Sequence, residues 1–172
     1  MVTDPHPRSS LAQRPPHLAT VTLSHSVSAR DALVMSPAHT HDGAIPFRRF
    51  VDDLSDFKFI ALDTAIVRVL SVRGIDLADT EWLKALGKGL HEFRVRHDAG
   101  EIAHMFGGDA PSVTAPATKI LLRVFVHFHG GRMILLLGGY DKGDDPTNRR
   151  QQREIARARR RLAQFRARPR NR

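Results

Sequence analysis

The chain has 172 residues, 41% of them hydrophobic, no cysteine, and 27 Lys plus Arg against 18 Asp plus Glu, for a formal net charge of +9. That length supports one sizeable core rather than two full domains, and the lack of cysteine excludes disulfides, thiol nucleophiles and thiolate metal sites. No apolar run approaches the ~20 residues of a membrane-spanning helix, and the N-terminus lacks the apolar core of a signal peptide, so a soluble cytoplasmic protein is expected.

The positive charge is uneven. Of the 27 basic residues, 12 lie between Lys142 and Arg172, and the first 141 residues are close to neutral. Such a tail either meets a polyanion, nucleic acid being the commonest in a cell, or forms a solvated helix face.

In chain order, residues 1–32 are rich in Pro, Ser and His, with Pro5, Pro7, Pro15 and Pro16 breaking any helix. They are expected to be a disordered extension, and Met35 is an alternative start. The spacing of His6, His17, His25, His39 and His41 fits no metal-ligand motif, so no metal and no cofactor is expected. Asp42-Gly43 marks a turn. Pro46 opens a helix carrying Phe47, Phe50, Val51, Leu54 and Phe57, and a second helix over 59–73 has an apolar stripe of Ile60, Ala61, Thr64, Ile66, Val67 and Leu70, with Gly74 as its stop. Asp52, Asp53 and Asp63 on these helices are expected to face solvent.

Trp82, Leu83 and Leu86 then form an apolar approach to Gly87 and Gly89. A strand is predicted over 90–96. Residues 97–118, with Gly100, Gly107, Gly108, Pro111 and Pro116, read as a flexible loop insertion interrupted by a turn of helix near Glu101 to Met105. Strands over 119–128 and 132–140 are joined by His129-Gly130-Gly131, a tight hairpin signal. A basic helix follows, with Ile155, Ala158, Leu162 and Phe165 recurring on one stripe.

Side chains alternate along a strand, so Phe93 and Val95 point one way and Arg94 and Arg96 the other. In the next strand Leu122, Val124, Val126 and Phe128 share one face, while Arg123, Phe125, His127 and His129 share the side assigned to Arg94 and Arg96. The expected product is a small sheet with one apolar and one cationic face. Arg123 stands out, because an unpaired charge inside a central strand is costly to bury.

The segments LGKGLHEFRVR, ILLRVF, ILLLGGYDKGDDP and REIARARRR, in that order, resemble the RelE/ParE toxin superfamily, in particular its HigB-like, phage-derived branch; DGAIPFRRFVDDL is similar to the family's turn and first helix. The resemblance covers about residues 33–168 and gives residues 33–172 the status of a toxin domain. It implies a compact α+β fold: a small antiparallel sheet packed on two N-terminal helices, with a basic C-terminal helix. It further implies one half of a type II toxin–antitoxin pair, a metal-independent endoribonuclease that cuts translating mRNA at the ribosome and is silenced by a cognate helix-turn-helix antitoxin. On matching positions Arg94 and Arg96 would hold phosphates, Arg123 would stabilise the transition state, Lys142 would sit near the leaving or attacking oxygen, and Tyr140, His127 and His129 are candidates for proton transfer or base stacking. Arg149, Arg150, Arg153, Arg157, Arg160 and Arg161 on the basic helix would meet RNA or the ribosome.

This chain departs from the family pattern where Lys142 is followed by Gly143, Asp144 and Asp145 rather than by a second lysine, and no tyrosine follows Pro146. Two other functions compete: a ParE-like inhibitor of DNA gyrase, and a nucleic-acid-binding accessory domain without toxicity. Each candidate also has a structural alternative, since Arg94 and Arg96 could solvate a sheet face and Tyr140 or His127 could belong to the core.

Overall fold

The computed structural model describes residues 33–109 and 119–168. The extension 1–32 and the second half of the expected loop insertion lie outside the described residues. The elements are β1 (Val34–Pro37), α1 (Pro46–Asp52), α2 (Asp56–Ala65), a π turn (Ile66–Leu70), α3 (Ser71–Arg73), a 3-10 turn (Gly74–Leu77), β2 (Leu83–Gly87), β3 (Leu90–Val95), α4 (Ala99–Phe106), β4 (Leu122–His129), β5 (Met133–Asp141) and α5 (Asn148–Arg166).

The fold is α+β, built on one five-stranded sheet in the order β1-β5-β4-β3-β2. The sheet is mixed, which corrects the expectation of an antiparallel one: β1 pairs parallel with β5, and the other neighbours pair antiparallel. Short turns join β2 to β3 and β4 to β5, and so direct a reversal of the chain favours antiparallel pairing of those neighbours; α4 lies in the longer connection between β3 and β4. The helical layer α1–α3 separates β1 from β2, freeing β1 to return to the far edge of the sheet.

Pro46 sits at the start of α1, where its missing N–H costs nothing, and Ser55 caps α2 by accepting from the Lys58 amide. The helical run from α2 through the π turn to α3 stops at Gly74, whose φ of +50° is costly for a residue with a Cβ. One core packs α1 and α2 on Phe93, Val95, Leu122, Val124, Val126, Ile134 and Leu136.

Two further elements differ from the sequence reading. Trp82 to Gly87 is more than an approach to the glycines, since Leu83–Gly87 forms the edge strand β2. Within the expected loop, the turn of helix becomes the two-turn α4, held by a full capping box in which Asp98 accepts from the Glu101 amide and Glu101 accepts from the Asp98 amide. Arg68, on the π turn, donates to the Gly107 carbonyl and so ties the end of α4 to the helical layer.

The largest correction concerns the second face of the sheet. It is not an open cationic surface. Helix α5 lies across it and builds a second core from Leu90, Phe125, Leu135, Leu137 and Tyr140 against Ile155, Ala158 and Leu162. The sheet is therefore covered by helices on both sides, and only its polar end near the start of α5 keeps a cationic character. Among the described residues no helix is long and apolar enough to cross a membrane.

Candidate active site

Strand register brings the arginines together. Arg94 faces Arg123 across β3–β4, and Arg123 faces Tyr140 across β4–β5, so the three form one row on the α5 side of the sheet. Tyr140 joins the row through a bulge: Phe125 pairs with Gly138 and Val126 with Leu136, leaving Leu137 as the extra residue. This shift puts Tyr140 on the same side as Leu135 and Leu137 and turns Asp141 toward α2, where it pairs with Lys58. Gly138 supplies the bulge with a φ of +134°, a region closed to ordinary side chains.

Glu92, two residues before Arg94 on the same side and opposite Phe125, lies beside this row. Its carboxylate accepts from Arg94 Nε at 3.2 Å and from Gln151 Nε2 of α5 at 3.2 Å, and lies 3.6 Å from Arg123 Nε. Glu92 is 0% exposed, Tyr140 2% and Arg123 4%, so these three groups are shielded from bulk solvent. Burial pulls the Arg123 pKa below its ordinary value and the Glu92 charge opposes the shift. Burial, followed by the negative charge of Glu92, pushes the Tyr140 hydroxyl up to about 12, so it is a proton donor at neutral pH. Its oxygen is buried and has no hydrogen-bond partner among the described residues, and the Arg150 guanidinium lies 5.9 Å from its ring centre.

The rim is solvated. Arg96 is exposed just beyond β3, and Arg94 and Lys142 are half-buried. The Lys142 amide donates to the Leu121 carbonyl, and its ammonium is 3.5 Å from Gln151 Oε1. Arg94, Arg96, Arg123, Lys142 and Tyr140 therefore gather at one end of the sheet beside the first turns of α5.

His127 and His129 are elsewhere. Four residues along β4 from Arg123 place His127 about 13 Å away, where its Nδ1 is 2.8 Å from the Gly89 carbonyl oxygen in the β2–β3 turn. His129 stacks edge-on against Phe165, 5.3 Å between ring centres. The structure therefore does not bring either imidazole to the Arg94–Arg123–Tyr140 row.

The α5 arginines have different employments. Arg150 and Arg157 share Glu154 Oε1, at 3.0 and 2.7 Å, and Arg161 is half-buried, donating to the Leu137 carbonyl at 2.8 Å. Arg149, Arg153 and Arg160 are exposed. Of the helical acids, Asp52 and Asp53 face solvent as expected, while Asp63 is half-buried and burial raises its pKa.

Sequence reasoning missed Glu92, Gln151 and Glu154. The signal for Glu92 was present, since alternation puts it on the Arg94 side two residues away; nothing local marks Gln151 as its partner. Compared with known proteins, the chain matches no family model, no curated protein and no solved structure.

Proposed function

We propose that the chain is an RNA-cleaving toxin of the RelE/ParE kind, a metal-independent endoribonuclease directed at translating mRNA and held in check by a cognate helix-turn-helix antitoxin. The observation that carries this proposal is the row of Arg94, Arg123 and Tyr140 at one end of the sheet, with Glu92 pairing both arginines and Arg96 and Lys142 on the rim beside it. Such an excess of cations suits a phosphodiester whose charge rises during in-line attack by the neighbouring 2′-hydroxyl. Attack forms the new O–P bond as the bond to the 5′-oxygen breaks; the 2′ proton leaves to solvent or base, and the 5′-oxygen takes up a proton.

In this scheme Arg94, Arg96 and Lys142, which reach the surface, hold the phosphate. Arg123, behind Arg94, adds buried positive charge. Tyr140, pushed up to about 12 by burial, stays protonated at neutral pH, which excludes it as a base there and leaves it as a hydrogen-bond donor to the phosphate or the leaving oxygen. For Tyr140 to reach a leaving oxygen, the first turns of α5 must move, because they cover it.

The burial of Arg123 and Tyr140 favours a second reading, a nucleic-acid-binding domain that does not cleave, in which the row serves only to join sheet and helix. Induced expression of residues 35–172 followed by primer-extension mapping separates the two. Growth arrest with translation-dependent mRNA cuts is the expected result. Intact transcripts without arrest favour the binding domain, and intact transcripts with altered DNA supercoiling favour a ParE-like gyrase inhibitor.

A further inference from the structure

The far end of α5 is fastened by arginines on backbone carbonyls. Arg159 donates to the Leu86 carbonyl of β2 at 3.0 Å, Arg166 to the Lys88 carbonyl in the β2–β3 turn at 3.0 Å, and Arg168, just past the helix, to the His39 carbonyl at 2.7 Å. His127 packs on the same turn from β4, with its Nδ1 2.8 Å from the Gly89 carbonyl oxygen. A carbonyl oxygen only accepts, so Nδ1 carries the proton of the neutral ring and a second proton goes to Nε2.

Gly89 lies against both side chains: a methyl group on its Cα would stand 2.8 Å from the Arg166 guanidinium and 3.3 Å from His127 Nδ1. The imidazole and the guanidinium are thus within about 6 Å of each other, close enough for charge on one to act on the other. The other titratable groups acting on His127 are basic as well. His129, two residues along β4, has its ring centre 6.0 Å away and meets Phe165 of α5 edge-on at 5.3 Å, and His91 acts from β3. Burial, Arg166 and His129 all favour the neutral His127 ring, against the bond to Gly89, which favours the charged one.

We infer that His127 and the β2–β3 turn form a proton-sensitive latch on the end of α5: with His127 neutral, Arg166 closes on Lys88 and Phe165 on His129, and a proton on His127 puts a second cation beside Arg166 and releases the last turn of the helix. The fold confines the release to that turn. From Ala163 to Arg168 the helix end is exposed except at the half-buried Phe165, so opening it uncovers little apolar surface, whereas Ile155, Ala158 and Leu162 lock the rest of α5 into the second core. The latch is independent of RNA cleavage, since it uses none of Arg94, Arg96, Arg123, Tyr140 and Lys142.

The test is hydrogen exchange of the full chain from pH 8 to 5, read by mass spectrometry and corrected for the intrinsic pH dependence of exchange. On acidification the amides of residues 163–168 should lose roughly tenfold more protection than those of β4. In His127→Gln, whose amide can still donate to the Gly89 carbonyl but gains no charge, the helix end should keep its protection across the range. In Arg166→Met protection of the end should be lower throughout and its pH dependence smaller, because both the anchor and the neighbouring cation are gone. A His127→Gln chain whose helix end still loosens on acidification overturns the inference, as does a native chain in which α5 and the sheet lose protection in equal proportion. If His127→Gln does not fold, NMR titration of the imidazoles in the native chain takes its place: the midpoint of His127 must coincide with that of the protection loss, and a mismatch, or coincidence with His91 alone, overturns the assignment to His127.

Discussion

Glu92 and Arg123 sit on adjacent strands with 3.6 Å between Oε1 and Nε, and each is buried, at 0% and 4% exposure. A lone charge at either position would be intolerable, and the sheet accommodates both because each answers the other, with Arg94 and Gln151 filling the remaining valences of the carboxylate.

Glu92→Gln should therefore destabilise the fold by about 3 kcal/mol, the usual cost of leaving one buried ion without its partner. Urea denaturation measures this. Adding Arg123→Met to Glu92→Gln should recover part of the loss, since the orphaned cation is removed with it. A single variant as stable as the native chain would mean that the pair contributes nothing.

Tyr140 is the chain's one tyrosine, so the tyrosinate absorbance reports it alone. Burial raises its pKa to about 12, which means that the folded state prefers the neutral phenol. Stability from this preference is complete below the ordinary value near 10 and disappears as pH rises through the folded value. Spectrophotometric titration of the folded protein should show little ionisation at pH 10. A midpoint near 10 in protein that is still folded would place the hydroxyl in water rather than in the cluster.

His127 has the opposite linkage at the acid end. Burial, with Arg166 and His129 adding to it, lowers its pKa despite the bond to the Gly89 carbonyl. Its contribution is thus present above the unfolded value near 6.5 and is lost as pH falls through the folded one. His91, also lowered mainly by burial, acts with the same sign. Unfolding free energy measured from pH 8 to 5 should fall, and His127→Gln should flatten the fall. An identical pH profile in the variant would show that this imidazole titrates as in the unfolded chain.

Arg96 separates chemistry from folding, because it is exposed and outside the Glu92 network. If it holds the substrate phosphate, Arg96→Gln should slow RNA cleavage by roughly 10- to 100-fold, in line with losing one charge partner of a transition state, while the melting temperature stays put. Undiminished cleavage would confine phosphate binding to Arg94 and Lys142.

Local pattern by itself determined a good deal. The apolar stripe of Ile155, Ala158 and Leu162 marked the buried side of α5, the alternation through Arg94 and Arg123 assigned both to one side of the sheet, and Gly74 marked the end of the helical run. These features depend on residues a few positions apart, which share a face through the helix or strand period alone. Only the tertiary structure decided what covers those faces. That β1 returns parallel beside β5, that α5 closes over the side of the sheet bearing Arg123, and that Gln151 reaches back 59 positions to Glu92 all depend on contacts between segments distant in sequence. The same distance effect settles the fate of an arginine: one whose neighbour in space is a backbone carbonyl becomes a fastener, as Arg161 does on Leu137, whereas Arg153, exposed on the outer face of α5, acts through its charge on Asp145.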